Sequence, residues 1–380
     1  MRPPSHLLSS FVATRPKHEI EQGRSLLWLA RMHALSEATR LGLDRAGRVA
    51  FEERLSAVLG RVACGPRAIA RRGSVLAEIG GEDPSTNVIY DVTQAPHGAG
   101  TGARTYVFRR VVRDYFESAF LDVQEPPRDL IHVTCTGYVA PSGAQELAAK
   151  RGWGERTRVT HAYHMGCYAA FPALRMAQGA LSAREGRVDI VHTELCSLHL
   201  DPGAHALEQL VVQSLFADGL IRYSVDEDRG QDGLLLLALD ERLIADSADS
   251  MSWIQSDHGM LMTLARDVPA RIRGELHAFV HALLHRAGLS PEAELPRAAF
   301  AIHPGGPRII DAVCDVFSLT EEQARESREV LSEHGNMSSA TLPHVWSRML
   351  ASPALASGSV IVSLAFGPGL TLCGGVMRKR

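Results

Sequence analysis

Short runs of apolar and β-branched residues alternate along this chain with stretches of helix formers, and that alternation limits the fold more than any other feature. Asp129-Leu-Ile-His-Val-Thr-Cys135 reads as a buried strand. Residues 158–163 and 187–195 read as two more, with helices expected over 145–150, 169–181 and 208–216. The second half repeats this alternation, with strand 234–239, helix 274–286, strand 298–303, a helix from Arg308, and a charged helix over 320–334 that Gly335 is placed to stop. Two strands, 360–366 and 370–377, joined by Gly-Pro-Gly, close the sequence as a hairpin. Upstream, 24–64 reads as helix, 81–105 as an irregular Gly/Pro/Thr/Asn-rich connection, and 106–121 as helix ended by Pro126-Pro127. Strands and helices in alternation predict a layered α/β fold.

Charge and hydropathy remove several function classes. A net charge of −3 over 380 residues, with no basic runs, argues against nucleic-acid binding and against docking to anionic membranes. No apolar stretch reaches the roughly eighteen residues a membrane span needs, so no membrane insertion is expected. The segment MRPPSHLLSSFVATRPKHE lacks the sustained apolar centre of a signal peptide. Six scattered cysteines without a CxxC pair read as reduced thiols, as in a cytoplasmic protein.

Three turns carry chemistry-bearing side chains. Cys167 follows Gly166 and precedes an apolar helix; helix N–H groups and dipole favour a thiolate there and can hold an oxyanion. A free cysteine is also an ordinary core residue. His161, His164 and Cys167 are spaced three apart, but no paired ligand set accompanies them, so no metal is expected. His303 ends a buried strand and meets Pro-Gly-Gly-Pro, where Gly305 and Gly306 permit close approach of a ligand. Asn336 follows Gly335 in a loop, and its amide can donate to a thioester oxygen. Each signal alone fits a turn residue. Cysteine, histidine and asparagine in this order, each at a turn after a core element, form a set suited to acyl transfer and decarboxylation.

With those residues in view, the sequence resembles the type III polyketide synthases, the chalcone synthase-like branch of the thiolase superfamily, over about residues 15–380. The Gly166-Cys167 segment is similar to the family's nucleophile segment, IHPGGP at 302–307 to its histidine segment, GNMSSAT at 335–341 to its asparagine segment and FGPGLT at 366–371 to its C-terminal signature. The resemblance implies a thiolase-like αβαβα five-layered fold with two pseudo-symmetric halves: 1–232 with the nucleophilic cysteine and 233–380 with the catalytic His and Asn. It implies catalytic roles for Cys167, His303 and Asn336, with His303 and Cys167 as an imidazolium–thiolate pair. It implies a gatekeeper role for Phe216 and a cavity lined by Met262, Thr136, Cys196, His199, Val212 and Trp253, with Gly305, Gly306, Phe366, Gly367, Pro368 and Gly369 in the surrounding turns.

The expected activity is starter loading on Cys167, repeated decarboxylative Claisen condensation with malonyl-CoA, and release of a cyclised pyrone, alkylresorcinol or phloroglucinol-type product. No metal or redox cofactor is implied, and a homodimer is. The basic helix that clamps coenzyme A in plant members is poorly kept, with Leu59, Val62 and Pro66 at those positions and Arg61, Arg67 and Arg71 as nearby substitutes. The carrier is therefore coenzyme A or an acyl carrier protein. The alternative activity is a single-condensation ketoacyl synthase joining two acyl thioesters. A non-catalytic thiolase-fold subunit is the other class, disfavoured because all three reactive residues are present.

Overall fold

A computed structural model describes residues 6–183 and 186–380. The elements run β1 (His6–Thr14), β2 (His18–Glu21), α1 (Gln22–Leu41), α2 (Arg45–Val62), β3 (Arg71–Ser74), α3 (Thr101–Ala119), β4 (Asp129–Thr134), α4 (Gly143–Lys150), β5 (Arg158–Tyr163), α5 (Ala170–Ala183), β6 (Val188–Leu195), α6 (Leu207–Leu215) and β7 (Asp218–Glu227). They continue as β8 (Leu234–Leu243), β9 (Met251–Ser256), β10 (Gly259–Leu264), α7 (Val268–Arg286), α8 (Pro291–Glu294), β11 (Ala299–Ile302), α9 (Pro307–Phe317), α10 (Arg325–His334), α11 (Thr341–Ala351), β12 (Val360–Gly367) and β13 (Thr371–Lys379).

Nine strands hydrogen-bond in the order β11-β12-β13-β8-β1-β7-β6-β4-β5. β1 runs antiparallel along most of β7 but meets β8 only through His6–Leu8, so it is the seam between two sheet regions. β4 lies parallel to both β5 and β6, and β11 parallel to β12; the other neighbours are antiparallel.

Burial on both faces of the sheet makes five layers. In β12, Ile361 and Ala365 face a central apolar cluster, while Val362, Leu364 and Phe366 face a second cluster on the other side. The central cluster is filled by α5 and α11, including Phe171, Leu174, Val345 and Trp346. α7 and α9 cover one outer face. α3 and α4, with α1 and α2, cover the other. The fold is thus helix–sheet–helix–sheet–helix, the thiolase-like architecture.

Local chemistry explains most boundaries. Ser142 caps α4: its hydroxyl accepts from the Gln145 N–H, and the Gln145 amide oxygen accepts from the Ser142 N–H at 3.0 Å. The stretch expected as helix over 24–64 breaks into α1 and α2 because Gly42 takes φ +68 at the α1 C-terminus. Strands β1, β2, β3, β7, β9 and β10 add to those expected. The sequences of β1, β7, β9 and β10 mix Ser, Arg, Asp and Gln with apolar residues, so no clean period announces them. The β9–β10 hairpin matters most, because it covers the reactive turns.

Candidate active site

Gly166 and Cys167 lie in the turn between β5 and α5. Gly166 has φ +81, and a β-carbon there would sit 2.4 Å from Cδ of Pro368. Only glycine suits both the backbone conformation and the close approach. The cysteine turn is thereby locked against the 366–371 turn at the far end of the sequence. Cys167 is buried and lines a cavity with Cys135, Gly166, Cys196, Phe216, Trp253, Met262, Ser338 and Pro368. The space open to the centre of a water molecule there is about 10 Å³, room for about one water.

The loop after α10 delivers Asn336. Its N–H donates to the Leu215 carbonyl (3.0 Å), and its own carbonyl accepts from the Ala217 N–H (2.8 Å). These bonds pin it beside Phe216 at the end of α6. The Asn336 amide nitrogen donates to the Gly305 carbonyl (3.4 Å), and its amide oxygen accepts from the Ser338 N–H (2.9 Å). Ser338 Oγ lies 3.9 Å from Cys167 Sγ, and the Asn336 side chain is also within hydrogen-bonding reach of that sulfur. His303 sits at the end of β11, its N–H held by the Leu364 carbonyl (2.7 Å). Both its ring nitrogens are buried with no partner among the described residues. Buried ring nitrogens ordinarily have a hydrogen-bond partner, so His303 stands out among the buried polar groups.

Electrostatics at rest favour neutral forms. Burial pushes the Cys167 thiol up to about 12, against the pull of hydrogen bonds from Ser338 and Asn336. Burial drives the His303 imidazole down to about 3. Burial thus opposes charge on each group taken singly, so the imidazolium–thiolate pair implied by the resemblance needs the two charges to compensate one another.

The other expected residues occupy distinct tiers. Phe216, Trp253, Met262, Cys196 and Pro368 form the cavity wall. Trp253 donates its indole N–H to the Cys135 carbonyl (2.7 Å) and stacks on Phe216, ring centroids 6.2 Å apart. Thr136 and His199 lie behind the wall: the Thr136 hydroxyl donates to Glu194, and the His199 ring bonds the Thr136 carbonyl (2.8 Å) and the Met260 N–H. Val212 is packed on α6 in the same apolar cluster as the cavity residues, as is Phe366. Gly305 and Gly306 shape the turn beside His303, Gly367 lies against the Tyr168 ring, and the Gly369 N–H reaches the Met251 carbonyl at the start of β9. Arg61, Arg67 and Arg71 are exposed, and Arg71 lies 3.9 Å from Glu19. Among the described residues no three His, Cys, Asp or Glu side chains converge as a metal site. None of the described helices is long and apolar enough to cross a membrane.

Sequence reasoning missed Cys135, Ser338 and Glu194. Glu194 is wholly buried at the end of β6 and accepts from the Cys135 N–H (2.9 Å), the Thr136 hydroxyl (3.1 Å) and the Ser339 hydroxyl. The available signal was weak: Glu194 is one of two acids in a strand, VDIVHTEL, that mixes polar and apolar residues. Burial raises its carboxyl to about 7, the hydrogen bonds opposing the rise. A raised carboxyl favours the protonated folded form, so it withdraws stability as pH climbs from the unfolded value of about 4.5 through 7. We expect Glu194→Gln to gain on the wild type across that window by roughly 3 kcal/mol, about 2.5 pKa units at 1.36 kcal/mol each. Denaturant midpoints of both proteins at pH 5 and pH 8 measure it; a constant difference would mean Glu194 is charged throughout.

Comparison with known proteins gives this geometry its place. The C-terminal domain of chalcone and stilbene synthases matches residues 236–379, and the N-terminal domain of the same synthases matches 119–226. The chain belongs to the chalcone and stilbene synthase family, the type III polyketide synthases. It is 29% identical over 243 residues to 1,3,6,8-tetrahydroxynaphthalene synthase of Streptomyces griseus, covering 64% of each chain. It is 30% identical over 280 residues to probable polyketide synthase 1 of Dictyostelium discoideum, covering 70% of this chain and 9% of that one. Type III polyketide synthase C of Arabidopsis thaliana is 27% identical over 283 residues, 71% of this chain and 73% of that one. The match thus spans less than two-thirds of the first two relatives. The same fold appears in the C-terminal type III polyketide synthase domain of Steely1, a type I/III hybrid from Dictyostelium (TM-score 0.83, 23% identity, 99% of both chains). It appears also in PKS-I of the brown alga Ectocarpus siliculosus (TM-score 0.84, 21% identity, 100% of both). Both matched domains reach the cavity: Cys167, Cys196 and Phe216 lie in the first, Trp253, Met262, Ser338 and Pro368 in the second.

Proposed function

We propose that this chain is an iterative type III polyketide synthase in which Cys167 carries the growing acyl chain. One observation carries the reading: the buried Cys167 thiol lines an apolar, nearly closed cavity within reach of Ser338 and of the Asn336 amide, which is itself tied to the turn after the unpartnered His303 imidazole.

In this mechanism the Cys167 proton passes to His303 as sulfur attacks the starter thioester carbonyl; the departing carrier thiolate takes the proton back. Malonyl thioester then enters. Donors on His303 and Asn336 hold its thioester oxygen, so loss of CO2 leaves a stabilised enolate. The enolate carbon attacks the acyl-Cys167 carbonyl, and the sulfur leaves as thiolate. Phe216 and Trp253 exclude water, which favours departure of the carboxylate and spares the intermediate from hydrolysis. The thioester activates the carbonyl and decarboxylation supplies the carbanion, so this chemistry needs no metal or redox group.

The reading includes coenzyme A as carrier, with an acyl carrier protein as the other donor, and a homodimer working in the cytoplasm. It assigns the nucleophile to a half spanning 1–232 and the His/Asn pair to 233–380. Release yields a pyrone, resorcinol or phloroglucinol-type ring. The test is product mass after mixing the purified protein with malonyl-CoA and a panel of acyl-CoA starters. Triketides or longer products are expected. A single extension from every starter would establish the ketoacyl synthase alternative instead.

A further inference from the structure

Two adjacent arginines on β3 have opposite surroundings. Arg71 is exposed, whereas Arg72 is buried at 7% exposure and makes four hydrogen bonds, all to neutral oxygens. Its Nη1 donates to the carbonyls of Gln213 (2.9 Å) and Phe216 (2.6 Å), its Nε to the Gln22 side-chain oxygen (2.8 Å), and its Nη2 to the Ser25 hydroxyl. Gln22 in turn donates to the Ser214 carbonyl (2.7 Å). Together the two side chains satisfy the last carbonyls of α6, where a cation also complements the helix dipole.

A buried guanidinium is an expensive way to cap a helix, because its charge must be desolvated, and Asp218, near enough to act on it, offsets that only in part. The position of Arg72 relative to the reactive turns supplies the reason. Phe216, whose carbonyl it grips, is one of the two aromatic residues in the cavity wall. Phe216 and Asn336 form a backbone bridge, flanked by the Leu215–Asn336 and Ala217–Asn336 bonds. Gly335, which precedes Asn336, has φ +74, and a β-carbon there would sit 3.0 Å from Cγ of Arg72 and 3.1 Å from the Leu215 carbonyl. The arginine stem is therefore packed against one side of the bridge while its head holds the other.

We infer that Arg72 is the positioning residue of this site: it sets the Phe216 ring and the Asn336 amide together, as one rigid unit, from behind the cavity. The inference rests on the proposed function for what Phe216 and Asn336 do, but not for the clamp itself. Two replacements test it. Arg72→Met removes the charge and every donor; Arg72→Lys keeps the charge but loses the planar fork that reaches two carbonyls at once.

Condensation is measured per Cys167 that accepts a starter, counted by intact-protein mass, so that loss of folded protein does not register. On that basis kcat falls about tenfold or more in Arg72→Met, as expected when a transition-state donor is displaced by a fraction of an ångström. KM for the starter changes by less than kcat does, because the displaced Asn336 donor acts on the malonyl thioester and not on starter binding. Arg72→Lys falls between the two. Hydrogen exchange is the second readout: the Asn336 and Ala217 amides, which make the bridge, exchange at least about tenfold faster in Arg72→Met than in the wild type, as expected when local opening is eased. If Arg72→Met does not fold, Arg72→Lys decides by the same two measurements. If the wild type makes no product, the proposed function fails and exchange alone decides the clamp. Wild-type kcat per loaded site and wild-type exchange at both amides would overturn the inference. So would faster exchange spread evenly over the chain, which marks a merely structural arginine.

Discussion

Cys167→Ala makes no polyketide and carries no acyl adduct, yet it still decarboxylates malonyl-CoA. The expected loss of condensation is at least about 10³-fold, because removing a covalent nucleophile leaves only binding and oxyanion stabilisation. Decarboxylation survives because the groups assigned to the enolate, His303 and Asn336, remain in place. The choice of Cys167 over its neighbours is itself a physical argument, since three thiols line the cavity. Cys135 and Cys196 are pushed up by burial and then further by the Glu194 carboxylate. The Cys135 sulfur is already engaged, accepting the Gly166 N–H at 3.0 Å. Cys167 is raised by burial and by Glu194 too, but Ser338, Asn336 and its own N–H together pull it back toward ionisation. It is the thiol most easily converted to thiolate, and the thiolate is the nucleophile. Starter loading followed by peptide mass mapping reads this directly. An acyl group found on Cys135 or Cys196, or product from Cys167→Ala, would refute the assignment.

The reactive turns were legible because each follows an element readable from its own residues. β4 and β11 are short runs rich in apolar and β-branched residues, β5 is a weaker strand signal, and Asn336 follows the charged helix α10 that Gly335 ends. Cys167, His303 and Asn336 could therefore be placed at turns from local pattern alone. What brought them together was not legible. The lock between Gly166 and Pro368 joins residues 202 positions apart, and the Asn336 bridge to Leu215 and Ala217 joins α10 to α6. Such contacts depend on sheet order, which no local pattern encodes. Arg72 and Glu194 were invisible for a different reason. Charged residues in strands are read as exposed, whereas here each is buried because backbone and hydroxyl partners satisfy it. The β9–β10 hairpin escaped notice because Ser, Gln and Thr alternate irregularly with its apolar residues. That hairpin brings Trp253 and Met262 to the cavity wall.

Trp253→Ala lengthens the product. The cavity in its present shape admits about one water, so a growing chain must find its space from the wall, and Trp253 is the largest side chain in that wall. Its ring is held by the Cys135 carbonyl, stacks on Phe216 and meets His199 edge-on, centroids 6.1 Å apart. Removing it leaves a void only if the hairpin cannot collapse inward, and the hairpin is pinned independently. The Thr101 hydroxyl donates to the Ser256 carbonyl (2.6 Å), the Thr101 N–H to the Asp257 carbonyl (2.8 Å), the Met260 N–H to His199 (3.1 Å), and Gln209 to the Met262 carbonyl (2.6 Å). Trp253 contributes to none of these. Because the indole is only half-buried, the stability cost falls below the roughly 3–5 kcal/mol of a fully buried Trp→Ala change. The Cys135 carbonyl loses its donor, and the enlarged cavity has room for a water to replace it. Starter loading on Cys167 stays within about threefold of wild type, because the Gly166–Pro368 contact holds the cysteine turn and the indole does not. The product ladder shifts upward by one or more malonyl-derived units, and pyrone and ring-closed products change in ratio because the chain has new folding space. Chromatography with mass detection of wild-type and variant products from the same starter decides it. An unchanged ladder from a folded, loaded variant would mean that chain length is set elsewhere, by release at the Phe216 side of the cavity and not by the volume Trp253 occupies.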